Sequence, residues 1–180
     1  PYIIHDASDD LADFAYGGYL ADLGDLLPDR LRREIPPHSW RTATFGGRVY
    51  GVPFLQEPRM IMANRRLLAA ADVRLPTARE PWTWEEFADA AGRLTRGATY
   101  GVAWPLKEPV SATLNLSLST GGHLFHRGDD GKVTIRYTAR DRVVPNAIRD
   151  QVVREKSASR STLGMSGADT LPGFFGDRYA

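Results

Sequence analysis

The chain has 180 residues, 42% hydrophobic, 25% charged and 10% aromatic, with 17 Gly, 12 Pro and no Cys. This composition excludes a disordered, collagenous or disulfide-stapled chain, and no run approaches the roughly 18 consecutive apolar residues that a membrane-spanning helix needs. A net charge of +1 is too small to steer the molecule onto nucleic acid, and the missing thiols remove thiolate catalysis and cysteine zinc sites.

In chain order, strands alternate with helices, which defines an α/β protein. Residues 2–5 read as a short apolar strand. Asp9 and Asp10 follow it at the start of a helix carrying Leu11, Phe14 and Ala15, which Gly17 and Gly18 end. A Pro-rich loop with a short helix over residues 29–34 leads to a helical turn over 38–44. Gly46 and Gly47 then form a tight turn into a strand over 48–55, and a second apolar run covers 60–63. Asn64 is placed to cap a helix over 65–71. Thr83-Trp84-Glu85-Glu86 is a capping box opening a helix with Phe87, Ala90, Ala91 and Leu94 inward. A strand over 100–104 and a helix over 110–120 follow. Asp130-Gly131 signals a hairpin ahead of alternating Val133, Ile135 and Tyr137, Pro145 opens a helix to about Lys156, and residues 157–167 read as a small polar loop. Both ends read as cut, so the expectation is an interior segment of a longer chain that aggregates or is molten when expressed alone.

Catalytic signatures fail. Gly164-Met165-Ser166-Gly167-Ala168 has Ala where a nucleophile elbow needs its last Gly, and it follows a polar stretch instead of an apolar strand. His123 and His126 lack a paired acid and read as loop histidines, so no metal site is expected, and no cofactor. More informative are carboxylates just beyond strand ends: Asp6, Asp9 and Asp10 after the first strand, Glu57 after the strand over 48–55, and Glu108 after the strand over 100–104. In open α/β sheets ligands bind outside the carboxyl ends of strands. Carboxylates accept paired hydrogen bonds from vicinal hydroxyls, while Phe54, Trp40 and Trp104 offer flat faces to a sugar ring and Arg59 can orient Glu57 or donate to a hydroxyl. The plainer roles are helix caps for the first-loop Asp residues, a salt-bridge partner for Arg59 and a core position for Trp104.

The run Gly46-Gly47-Arg48-Val49-Tyr50-Gly51-Val52-Pro53-Phe54, followed by Glu57-Pro58-Arg59-Met60-Ile61-Met62-Ala63-Asn64-Arg65-Arg66-Leu67-Leu68, resembles the signature of extracellular solute-binding proteins of carbohydrate ABC importers. Pro81-Trp82-Thr83-Trp84-Glu85-Glu86-Phe87, Tyr100-Gly101-Val102, Gly121-Gly122 and the stretch from Leu171 to Ala180 are similar to later motifs of that family, in the same order. Ala63 and Arg65-Arg66 depart from the common pattern, as does the region 141–167. The resemblance implies a periplasmic-binding-protein-like fold of two α/β lobes with the ligand cleft between them, residues 1–58 being the latter part of lobe 1 and 59–180 part of lobe 2. It also implies a monomeric carbohydrate-binding protein, extracellular or periplasmic and lipid-anchored, with permease subunits as partners and with Asp6, Glu57 and Glu108 at ligand-contacting positions. Two alternatives stand beside it. One is a glycoside hydrolase using Glu57 and Glu108, which needs carboxyl groups about 5–9.5 Å apart. The other is a ligand-sensing domain of the same fold.

Overall fold

The computed structural model describes residues 3–6, 8, 10–56, 60–109, 113–127 and 132–180. Two compact units divide the chain, Pro1–Pro58 and Arg59–Ala180.

In the first unit, residues 3–6 have no regular structure and pair with no strand among the described residues, and Tyr2 of the expected strand lies outside them. Helix α1 (Leu11–Tyr16) turns its buried Ala15 inward. Helices α2 (Asp29–Glu34) and α3 (Pro37–Thr42) follow the sequence closely, with Pro37 in the first turn of α3, where its missing N–H is not needed. The indole N–H of Trp40 donates to the Arg32 carbonyl at 3.3 Å, tying α3 to α2. Strand β1 (Thr44–Phe45) pairs antiparallel with β2 (Arg48–Val49), Thr44 facing Val49. Gly46 and Gly47 connect them at φ +57° and +80°, a turn that requires positive φ at both central residues. The strand expected over 48–55 therefore stops at Val49, apart from one further bond from the Tyr50 N–H to the Ala43 carbonyl.

The second unit is built around the helix that opens at Trp84. Asn64 caps α4 (Arg65–Ala70), its side-chain oxygen accepting from the N–H groups of Arg66 and Leu67, while its amide donates to the Asp177 carboxylate at 2.9 Å. Helix α5 (Trp84–Leu94) opens with the expected reciprocal box: Thr83 Oγ1 accepts from the Glu86 N–H at 3.1 Å, and Glu86 Oε2 accepts from the Thr83 N–H at 2.8 Å. Its inward face serves two apolar clusters. Ala90 and Leu94 pack with Leu68 and Val73, whereas Ala91 packs with Val102, Trp104, Val144, Ile148 and Ala158.

Residues 100–104 form a ladder of single parallel bridges, Tyr100 with Tyr179 and Val102 with Ala158, instead of a full strand. After them come the short helix α6 (Asn115–Ser117), a 3-10 turn and Gly121 at φ +70°. Strands β3 (Phe125–Arg127) and β4 (Val133–Ile135) form the expected hairpin, although its Asp130-Gly131 turn lies outside the described residues. Helix α7 (Val143–Val153) begins two residues ahead of Pro145.

The region expected to be a polar loop is instead part of the core. Ser157, Ala158, Ser159 and Thr162 are buried, and a 3-10 turn (Arg160–Gly164) leads into α8 (Gly167–Phe175), a helix not anticipated from the sequence. Small side chains allow this burial because their hydroxyls bond locally, Thr162 Oγ1 donating to the Ser159 carbonyl at 2.7 Å.

Asn64→Ala removes a cap and the link to Asp177 together. It is expected to lower stability by about 1–2 kcal/mol, the cost of losing a strong N-cap, measured as a shift in the urea midpoint at unchanged slope.

Candidate functional site

In the first unit the structure brings two of the predicted loops together. The ring of His5, just before Asp6, meets Phe54 edge-on at a centroid distance of 4.9 Å. Asp6 is exposed, and Phe54 is 72% exposed, so its ring remains open to a ligand. Gln56 is fastened to α3 by donating to Ser39 Oγ and lying 3.2 Å from His38 Nε2, which fixes the chain immediately before Glu57. Asp9, Glu57 and Arg59 lie outside the described residues.

Asp10 does not play the capping role expected of it. It occupies the N-cap position of α1 with helical dihedrals, φ −84° and ψ −15°, and its side chain makes no cap hydrogen bond. A capping carboxylate needs an extended backbone to swing over the free amides of the first turn. Asp10→Ala therefore has no cap to remove.

In the second unit Trp104 departs from the expectation of a flat sugar-stacking surface. It is only 4% exposed, its indole N–H donates to Gln151 Oε1 at 2.7 Å, and its ring stands edge-on to Phe87 at 6.0 Å. Its backbone N–H donates to Thr162 Oγ1 at 3.1 Å. The chain past Trp104 is then held by the Lys107 N–H, which donates to the Met165 carbonyl at 3.1 Å. These anchors deliver Glu108, exposed, to the wall of a groove of about 370 Å³.

That groove is largely apolar. Met60, Ile61 and Met62 form one wall, Phe87 and Phe174 contribute rings, and its polar groups are Glu108, Asn115, Ser166 and Thr170. None of the last three was expected at a ligand site from sequence, Ser166 having been weighed only as the serine of a failed nucleophile elbow. Ser166-x-x-Asp169 is a capping box and could have marked the start of α8: Ser166 Oγ donates to Asp169 Oδ2 at 2.7 Å, and the Ser166 N–H donates to the same oxygen at 2.8 Å. The failed nucleophile-elbow serine is thus a helix cap. Among the described residues no group of three His, Cys, Asp or Glu side chains could hold a metal ion.

Two carboxylates sit below the ordinary range, both through hydrogen bonds. The Thr138 hydroxyl first, and then its N–H, hold Asp141 down, donating at 2.6 and 2.8 Å. For Asp169 the Ser166 N–H comes first and its hydroxyl second.

A family model described as bacterial extracellular solute-binding protein matches residues 2–180, and the chain belongs to that family. An uncharacterized lipoprotein from the oleD 5′ region of Streptomyces antibioticus is 66% identical over 181 residues, covering 100% of this chain and 40% of the relative. The chain therefore spans about two fifths of that relative's length. Solved structures share its fold at low identity. A solute-binding protein from Thermotoga lettingae bound with α-D-tagatose has a TM-score of 0.73 at 18% identity, over 94% of this chain and 44% of that one. Maltose-bound MalE3 of T. maritima gives 0.72 at 20%, over 94% and 42%. Lmo0181 of Listeria monocytogenes in complex with cycloalternan gives 0.68 at 22%, over 94% and 43%. The fold is the periplasmic-binding-protein-like α/β type.

Because the folded-state pKa of Asp169 is depressed, its contribution to stability is present above the ordinary carboxylate range and is lost as pH falls below about 4. Asp169→Ala should be less stable than the parent at pH 7, with the gap narrowing as the pH is lowered progressively below 3.8, as read from urea midpoints across that range.

Proposed function

We propose that the protein binds a sugar or oligosaccharide outside the cell and delivers it, unchanged, to an ABC-type permease. The observation that carries this reading is membership of the extracellular solute-binding family over residues 2–180. It is supported by structural relatives whose own occupants are carbohydrates, namely tagatose, maltose and cycloalternan. The lipoprotein name of the Streptomyces relative supports a lipid-anchored protein at the cell surface.

In this reading the unit Pro1–Pro58 is the latter part of one lobe and Arg59–Ala180 is part of the other. Asp6, Asp9, Asp10 and Phe54 act from the first, Glu57 and Arg59 from the junction, and Glu108 from the second. Ligand contacts made to both lobes stabilise only the closed state, so binding drives hinge closure. A carboxylate is suited to this task because it accepts two hydroxyl hydrogen bonds, and an exposed ring such as Phe54 covers an apolar sugar face. Trp104 contributes by fixing the chain that presents Glu108, from a buried position that also lines the groove. The protein acts as a monomer.

Glu57→Ala and Glu108→Ala in the whole protein should each weaken sugar binding by about 1.5–3 kcal/mol, the scale of a hydrogen bond to a charged acceptor. Asp6→Ala should do the same, while Trp104→Phe should lower stability with little change in affinity at temperatures where the protein stays folded. Calorimetry against a panel of mono- and oligosaccharides reads these effects. Unchanged affinity in both Glu variants rejects the site, and hydrolysis of an aryl glycoside that disappears in Glu57→Gln rejects the binding-only reading.

A further inference from the structure

Glu108 follows a stretch that has no regular structure of its own to hold it. Among the described residues, the backbone of residues 104–107 makes two hydrogen bonds. The Trp104 N–H donates to Thr162 Oγ1 at 3.1 Å, and the Lys107 N–H donates to the Met165 carbonyl at 3.1 Å. The donors are three residues apart on one side and the acceptors three residues apart on the other. Thr162 also closes the 3-10 turn that carries both acceptors: its hydroxyl donates to the Ser159 carbonyl at 2.7 Å, and its own carbonyl accepts from the Met165 N–H at 3.0 Å. One residue therefore shapes the turn, holds Trp104 directly and fixes the carbonyl that holds Lys107.

Thr162 is 0% exposed. A hydroxyl taken out of water is costly unless it is hydrogen-bonded, and this one both donates and accepts. Valine has nearly the same shape without the hydroxyl, so the two bonds are what threonine adds at this position. Two polar groups of the groove lie directly beyond the paired stretches, Glu108 after Lys107 and Ser166 after Met165. We propose that Thr162 is a positioning residue for the ligand site: it clamps residues 104–107 against residues 162–165, so that Glu108 and Ser166 meet the groove at a fixed separation. The effect on ligand affinity rests on the sugar-binding reading, whereas the clamp itself can be read without any sugar.

Hydrogen exchange of the whole protein in sugar-free buffer, read by mass spectrometry on peptides covering residues 103–108 and α5, tests the clamp by itself. In the parent, residues 103–108 should exchange slowly; fast exchange there overturns the proposal before any variant is made. Thr162→Val should speed that peptide about tenfold or more with α5 unchanged, and Thr162→Ser, which keeps the hydroxyl, should restore the parent rate. An equal rise in both peptides is a general loosening of the fold and overturns the positioning role. Calorimetry against the sugar panel then reads the consequence: Thr162→Val should weaken binding about tenfold, Thr162→Ser should not, and Thr162→Val should add nothing further in a Glu108→Ala background. A full additional loss in that background also overturns the role. Unchanged affinity in Glu108→Ala alone rejects Glu108 as a ligand residue instead, and the exchange result then decides the clamp.

Discussion

Gly101 lies so close to α5 that a Cβ added there would sit 1.9 Å from the Ala91 carbonyl oxygen. The contact is backbone against backbone, and Thr95 secures it by donating to the Ala91 carbonyl at 2.8 Å while accepting from the Gly101 N–H at 3.0 Å. Everything downstream is placed by it. With Gly101 fixed, Val102 meets Ala158, Trp104 enters the core, its indole finds Gln151, and the chain emerges with Glu108 at the groove wall. A larger residue at position 101 would push the segment outward and displace the tryptophan and the carboxylate together.

The parts of the fold that were legible in the sequence are those settled within a few residues. The Asn64 cap, the Thr83–Glu86 box, α2 and the Gly46-Gly47 turn each depend on local bonds, so local spacing was enough to find them. Strand expectations fared less well because a strand is defined by its partner. Residues 2–5, 48–55 and 60–63 have the apolar composition of strands, yet within the described residues only Arg48–Val49 acquires a ladder. The opposite error occurred at α8. Residues 157–167 read as a loop, but the Ser166–Asp169 box caps a helix that runs on through Pro172.

The candidate site was partly legible for a similar reason. Carboxylates beyond apolar runs could be seen without knowing the pairing, and Glu108 does line the groove. What sequence could not convey was the fate of Trp104. An indole at the end of an apolar run is equally suited to stacking on a ligand and to packing in a core. The deciding partner, Gln151, lies 47 residues away on the inner face of α7. The Asp10 expectation turned on a backbone dihedral that composition does not encode.

Helix α5 places Ala90 in one apolar cluster and its immediate neighbour Ala91 in another. Consecutive residues on a helix point about 100° apart, so the helix forms a shared wall between two separately packed compartments. The wall pair is not free to vary. Enlarging either alanine presses on its own compartment and rotates the helix against the other. Change in one compartment is therefore felt in the second through the helix they share.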